Sequence, residues 1–157
     1  MNIFILDEDL ETCASYMVDK HVVKMLTEYA QMLSTAQRYY GIDIGYKSTH
    51  LNHPCTKWVC ESNSNYNYLV NLSKAVHNEY KLRYGQNKIH GAFKMIDEFL
   101  SIPPSNMPDI GLTPFPQAMP DIYKSGDAIE AYRNYYRGEK QHISKWKHNN
   151  IPYWFKN

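Results

Sequence analysis

Between Asp19 and Tyr40 the chain runs for about six helical turns without a glycine or a proline. Val22, Val23, Met25, Leu26, Tyr29, Ala30, Met32, Leu33 and Ala36 recur there at helical spacing and form one broad apolar face. Asp19 is placed to cap the start and Gly41 to stop the end. A helix this long, with this much apolar surface, needs other helices to cover it, which makes the chain mainly α. The remaining stripe carries Lys20, His21, Lys24, Glu28, Gln31 and Thr35, all within about 100° of one another. A carboxylate flanked by two lysines and a histidine on a rigid helix is a candidate acid–base site. The plainer reading of the same stripe is a solvated face on which Lys24 and Glu28 form an i,i+4 ion pair.

The rest of the chain supplies the covering elements. Asn2–Leu6 is a short apolar run, either one strand or an extended lead-in. Pro54 suits the first turn of a short helix through Trp58 and Cys60. A strong helix over 66–84 places Tyr66, Leu69, Val70, Leu72, Ser73, Val76, Tyr80 and Tyr84 on one side, and Gly85 ends it. Another is expected from about Lys88 to Leu100, packing Ile89, Phe93, Ile96, Phe99 and Leu100. Residues 101–126 hold six of the eight prolines and read as a long irregular loop. Asp127 followed by Glu130 resembles a capping box and opens a last helix to about Lys147. Residues 1–157 therefore read as a single compact helical domain, with a short extended start, a Pro-rich loop over 101–126 and a basic–aromatic segment over 127–157.

Charge narrows the function. The net charge is only +1, so no whole-molecule field draws in a polyanion. Yet residues 1–19 hold five acidic side chains and no lysine or arginine, whereas residues 132–157 hold Arg133, Arg137, Lys140, Lys145, Lys147 and Lys156 against Glu139 alone. Together with Tyr132, Tyr135, Tyr136, Trp146 and Trp154, that segment is suited to phosphates and stacked bases, and equally to an amphipathic helix with tyrosines inward. Cys13, Cys55 and Cys60 are an odd set without framework spacing, which with the lack of a leader-like start points to a reduced, cytoplasmic setting. No apolar run is long enough for a membrane span. His50, His53, Cys55 and Cys60 offer ligand types, but not the paired spacing of a structural zinc site. The loop is better read as backbone-fixing and substrate-facing, with no metal and no cofactor expected. Cys55 has no partner that would make it a nucleophile, and His77 and His90 read as structural.

Three segments together resemble a known family. They are Asp19-Lys20-His21-Val22-Val23-Lys24-Met25-Leu26-Thr27-Glu28-Tyr29-Ala30-Gln31, then Tyr46-Lys47 with Asn52-His53-Pro54 and Trp58, then Tyr68-Leu69 through Glu79-Tyr80 to Arg83-Tyr84-Gly85. Their order is similar to that of the pyrimidine dimer DNA glycosylases over roughly residues 1–85. The resemblance implies a small helical enzyme that acts on damaged or modified pyrimidines in duplex DNA and has an associated abasic-site lyase activity. It implies attack by the chain's own α-amine on the deoxyribose C1′, here the amine of Met1, assisted by Glu28 with Lys24 and His21 beside it. Bulky Asn2 is expected to leave Met1 in place, and Lys20, His21 and Lys24 stand where the family crowds its carboxylate with arginines. α-Amines ordinarily titrate near about 7.7–8.0, so a useful fraction is nucleophilic at neutral pH. Lys20, Gln31, Lys47, His50, Asn52, His53, Trp58, Arg133, Arg137, Lys145 and Trp154 are then the expected DNA contacts. The expected setting is the cytoplasm of a bacterium or a virus-infected host cell. Two other classes stay open: a non-covalent nucleic-acid or nucleotide enzyme using Lys24, Glu28, His50 and His53, and a non-catalytic helical binding or inhibitor protein.

Overall fold

The computed structural model describes residues 1–156, and among them there are helices and loops but no strand. Residues 2–6 are extended and buried, with Ile3, Phe4, Ile5 and Leu6 all in the core. No sheet partner serves their backbone, so side chains do. Ile3 N–H donates to Asn2 Oδ1 at 2.8 Å, Leu6 N–H reaches Cys13 Sγ at 3.3 Å, and Arg133 Nε donates to Leu6 O at 2.9 Å. A buried strand-like segment is tolerable only when its polar groups are met in this way.

Helix α1 (Leu10–Tyr16) is capped by Asp9, and α2 (Asp19–Tyr39) is the long helix. Val18, not Asp19, is the N-cap of α2 and makes no side-chain cap bond. The Asp19 carboxylate is committed elsewhere: Oδ1 accepts from Arg83 Nη1 and from Lys147 N–H, each at 3.0 Å. Three members of the α2 faces also differ from expectation. Val23 is 41% exposed rather than core, while His21 and Thr35 are buried. Gly41, at φ +87°, follows the helix.

His53 caps α3 (Pro54–Glu61) by accepting from Cys55 N–H, and Ser62 caps α4 (Asn63–Tyr84) by accepting from Asn65 N–H. Helices α2, α3 and α4 pack on one another around Leu26, Tyr29, Leu33, Val59, Tyr66, Leu69 and Val76. Helix α5 (Gly91–Met95) starts later than expected because His90 is its N-cap, and it widens into a π-helical turn over Ile96–Leu100. That turn keeps Ile96 and Leu100 inside but rolls Phe99 to 52% exposure, and Ile89 lies ahead of the helix at 68%.

The Pro-rich segment is irregular apart from a short turn at Asp121–Tyr123, and it is tied down across α3 and α4. Trp58 Nε1 donates to Thr113 O at 3.2 Å, Ser62 Oγ donates to Gly111 O at 2.9 Å, and Asn65 bonds Thr113 through both ends of its amide. Asp127 caps α6 (Ala128–Glu139) as expected, but the helix ends eight residues short of Lys147. The chain turns back there so that Trp146 and Trp154 enter the core against Tyr16 and Tyr136. Among the described residues no helix is long and apolar enough to cross a membrane.

Candidate active site

The buried lead-in delivers the first residue to the polar stripe of α2. Met1 N lies 3.5 Å from Glu28 Oε1, and Lys24 Nζ lies 3.6 Å from the same oxygen. The side chains of Met1 and Glu28 are only 3% and 12% exposed, whereas that of Lys24 is 70% exposed. Glu28 is therefore shared between the terminal amine and a solvated lysine. A surface i,i+4 pair alone would be worth a few tenths of a kcal/mol. A half-buried carboxylate against an amine is a different object: a nucleophile and a proton acceptor within one reacting group of each other.

The surroundings sort the other expected residues. His53 belongs to the site: burial, the nearby terminal amine and His50 hold its pKa below the usual histidine range. Its Nδ1 accepts from Cys55 N–H at 3.1 Å, so a neutral ring carries its proton on Nε2. Lys20, Lys47, His50 and Asn52 are exposed and Gln31 is half-buried. The loop bearing Lys47 and His50 is anchored to α2, with Thr35 Oγ1 donating to Thr49 O and accepting from Thr49 N–H. His50, at φ +50°, bonds Thr49 through its ring.

His21 points inward instead. Its ring stacks on Phe4 at 4.3 Å, and Nδ1 meets the Tyr136 hydroxyl at 2.6 Å. Burial first, then the charges of Lys140 and Lys24, push its pKa down to about 3. It is a neutral packing group beside the site. Trp58 and Trp154, expected to touch DNA, are 2% and 5% exposed and serve the core. Arg133 clamps Leu6 O and Asp7, and Arg137 donates to Trp154 O at 2.9 Å. Both guanidiniums are occupied by the fold because the tail folds back over them. Lys145 remains exposed.

Cys55 is buried, with its thiol pushed up to about 11, chiefly by burial. Among the described residues no three or more His, Cys, Asp or Glu side chains gather closely enough to hold a metal ion. A cleft lined by Tyr39, Tyr40, Leu51, Asn52, Lys57, Cys60 and Glu61 contains neither Met1 nor Glu28. The amine–carboxylate pair lies outside that cleft.

A family model described as pyrimidine dimer DNA glycosylase matches residues 1–91, which contain Met1, Glu28 and the loop before α3. The chain belongs to the pyrimidine dimer DNA glycosylases. Neither a curated protein nor a solved structure matches it. The matched span of this glycosylase ends at the start of α5. Two residues of the remainder nevertheless enter the site region: Ala118 and Tyr132 bracket Asn2, and Pro116 O faces the Tyr132 hydroxyl. Periodicity could not reveal this grouping. The one local clue is a polar residue standing before the wholly apolar run Ile3–Leu6.

Proposed function

We propose that this glycosylase removes a damaged or modified pyrimidine from duplex DNA and cleaves the resulting abasic site, with the Met1 α-amine as nucleophile and Glu28 as proton carrier. The unprotonated amine attacks C1′. The C1′–N bond breaks and the base leaves with the bonding pair. Opening of the sugar ring, with proton delivery to O4′ and loss of the amine proton, gives a protonated imine. Proton loss from C2′ then expels the 3′ phosphate, and water releases the enzyme from the imine. Glu28 is set to move the protons and to stabilise the positive sugar that develops at C1′. Lys24, Lys20 and Lys47 supply phosphate contacts, and His53 offers an Nε2 donor beside the amine. The duplex must bend or extrude a nucleotide to expose C1′. The observation that carries this reading is the 3.5 Å approach of Met1 N to Glu28.

The test is borohydride trapping on labelled duplexes bearing one thymine dimer, one abasic site or neither. A stable adduct with the dimer and abasic duplexes but not with the undamaged one, mapped to Met1, is expected. Acetylation of the α-amine should abolish trapping while DNA binding persists. An adduct mapped to Lys24 in the acetylated protein would reassign the nucleophile. Glu28→Gln should slow strand cleavage by about 100-fold or more at little cost in affinity. A near-wild-type rate would return Glu28 to the role of a surface ion pair.

A further inference from the structure

An amine at the end of a chain has more rotational freedom than any side chain held within the fold. Attack at C1′ requires that freedom to be removed, because misplacement by about 1 Å costs on the order of 100-fold in rate. Next to the amine in the chain stands Asn2, 8% exposed, whose carboxamide is held on several sides. Its Nδ2 donates to Ala118 O at 2.9 Å. Its Oδ1 accepts from Ile3 N–H at 2.8 Å and from the Tyr132 hydroxyl at 3.0 Å, with Cys55 Sγ at 3.7 Å. Tyr132 is fully buried; its single hydroxyl proton is shared between Asn2 Oδ1 and Pro116 O, the latter at 2.7 Å, and its oxygen accepts from Ala118 N–H at 3.3 Å. The phenol thus joins Asn2 to both ends of the 116–118 segment.

We propose that Tyr132 and the 116–118 segment are positioning elements of the reaction, acting through Asn2 to aim the Met1 amine at the sugar. All of them lie beyond the residues the family model matches, so this part of the chain contributes to chemistry through the N-terminus and not through the DNA contacts expected of its arginines. The inference rests on the reading that Met1 is the nucleophile. The amide is the side chain the bracket demands. Ile3 N–H needs an acceptor and Ala118 O needs a donor, and a carboxylate in its place would set a buried charge against a carbonyl oxygen.

The experiment is single-turnover imine trapping on an abasic-site duplex at saturating and sub-saturating DNA. It compares wild type, Tyr132→Phe, Asn2→Asp and Tyr66→Phe, with intact mass confirming that Met1 is present in each. Tyr66→Phe is the control: it removes another buried hydroxyl, one bonded to Leu100 O and Gln37, with no contact to Asn2. Tyr132→Phe and Asn2→Asp should lower the saturating rate constant at least about tenfold. The trapped fraction and the DNA concentration for half-maximal rate should stay within about twofold of wild type. In Asn2→Asp, lowering the pH should bring the rate back toward that of wild type at the same pH, since a protonated carboxyl again offers Ala118 O a donor. A role in stability alone would reduce the trapped fraction and the melting temperature and leave the rate constant unchanged. That result, or equal rate constants in all four proteins, would overturn the proposal. Should Tyr132→Phe not fold, the pH series on Asn2→Asp decides it. Failure of wild type to trap at all would instead remove the reading of Met1 as nucleophile.

Discussion

At the scale of single residues, the two most informative side chains on the α2 stripe have opposite environments. Glu28 faces the amine at the surface, and His21, two turns earlier, is enclosed by Phe4 and Tyr136. Enclosure fixes the sign of a pH effect. The folded pKa of His21 is depressed to about 3, below the roughly 6.5 of an unfolded chain. The neutral ring therefore stabilises the fold. That contribution is complete above pH 6.5 and is lost as the pH falls toward the folded value, with a slope approaching about 1.4 kcal/mol per pH unit. Urea titrations from pH 7 to pH 4 should show this decline. His21→Gln keeps a polar partner for the Tyr136 hydroxyl without a titrating ring, and it should flatten the slope by up to one proton. An unchanged slope would mean that other groups set the acid limit.

At the scale of elements, the last turns of α2 act as a template for the loop that carries Lys47 and His50. Ser34 Oγ accepts from Tyr46 N–H at 3.0 Å, and Arg38 Nε donates to Tyr46 O at 2.7 Å. Gly45 makes the close approach possible. Its φ is +78°, and a Cβ there would fall 2.3 Å from Ser34 Oγ and 3.1 Å from a Leu100 methyl. Gly45→Ala should cost about 2 kcal/mol, from left-handed strain together with overpacking, and chemical denaturation would measure it. A loss below about 0.5 kcal/mol would mean that the loop shifts freely off the helix. The same scale shows what local sequence specifies. Gly41, Pro54, Gly85 and Asp127 mark element ends through their own backbone preferences, so α2, α3, α4 and the start of α6 were legible. The π-turn at Ile96–Leu100 and the early end of α6 were not, because contacts with distant residues decide them. The candidate site divides in the same way. Glu28 and Lys24 share one helix and could be paired from spacing, whereas the bracket on Asn2 depends on partners more than a hundred residues away.

For the whole molecule, the division of labour between its two kinds of cation sets how it meets DNA. All four arginines are engaged within the fold. Arg38 bonds Asp43 and the 45–46 backbone, Arg83 links Glu79, Asp19 and Ser15 O, and Arg133 and Arg137 hold the N- and C-terminal segments. Planar guanidiniums suit such multidentate buried roles. The cations left exposed on α2 and on the loop docked to it include Lys20, Lys24 and Lys47, on a chain whose net charge is only +1. Three lysine–phosphate contacts release about three counterions, so log K against log salt should have a slope near −3, shallow for a duplex-binding protein. Lys24→Gln should weaken binding uniformly across sequences and reduce the slope by about one. The Arg133→Gln variant should leave the slope unchanged but lower stability, because Leu6 O and Asp7 share a charged fork that glutamine cannot form. Binding titrations from about 50 to 200 mM salt separate these cases. A slope that falls in Arg133→Gln and not in Lys24→Gln would place the DNA against Arg133 on α6 instead of against Lys24.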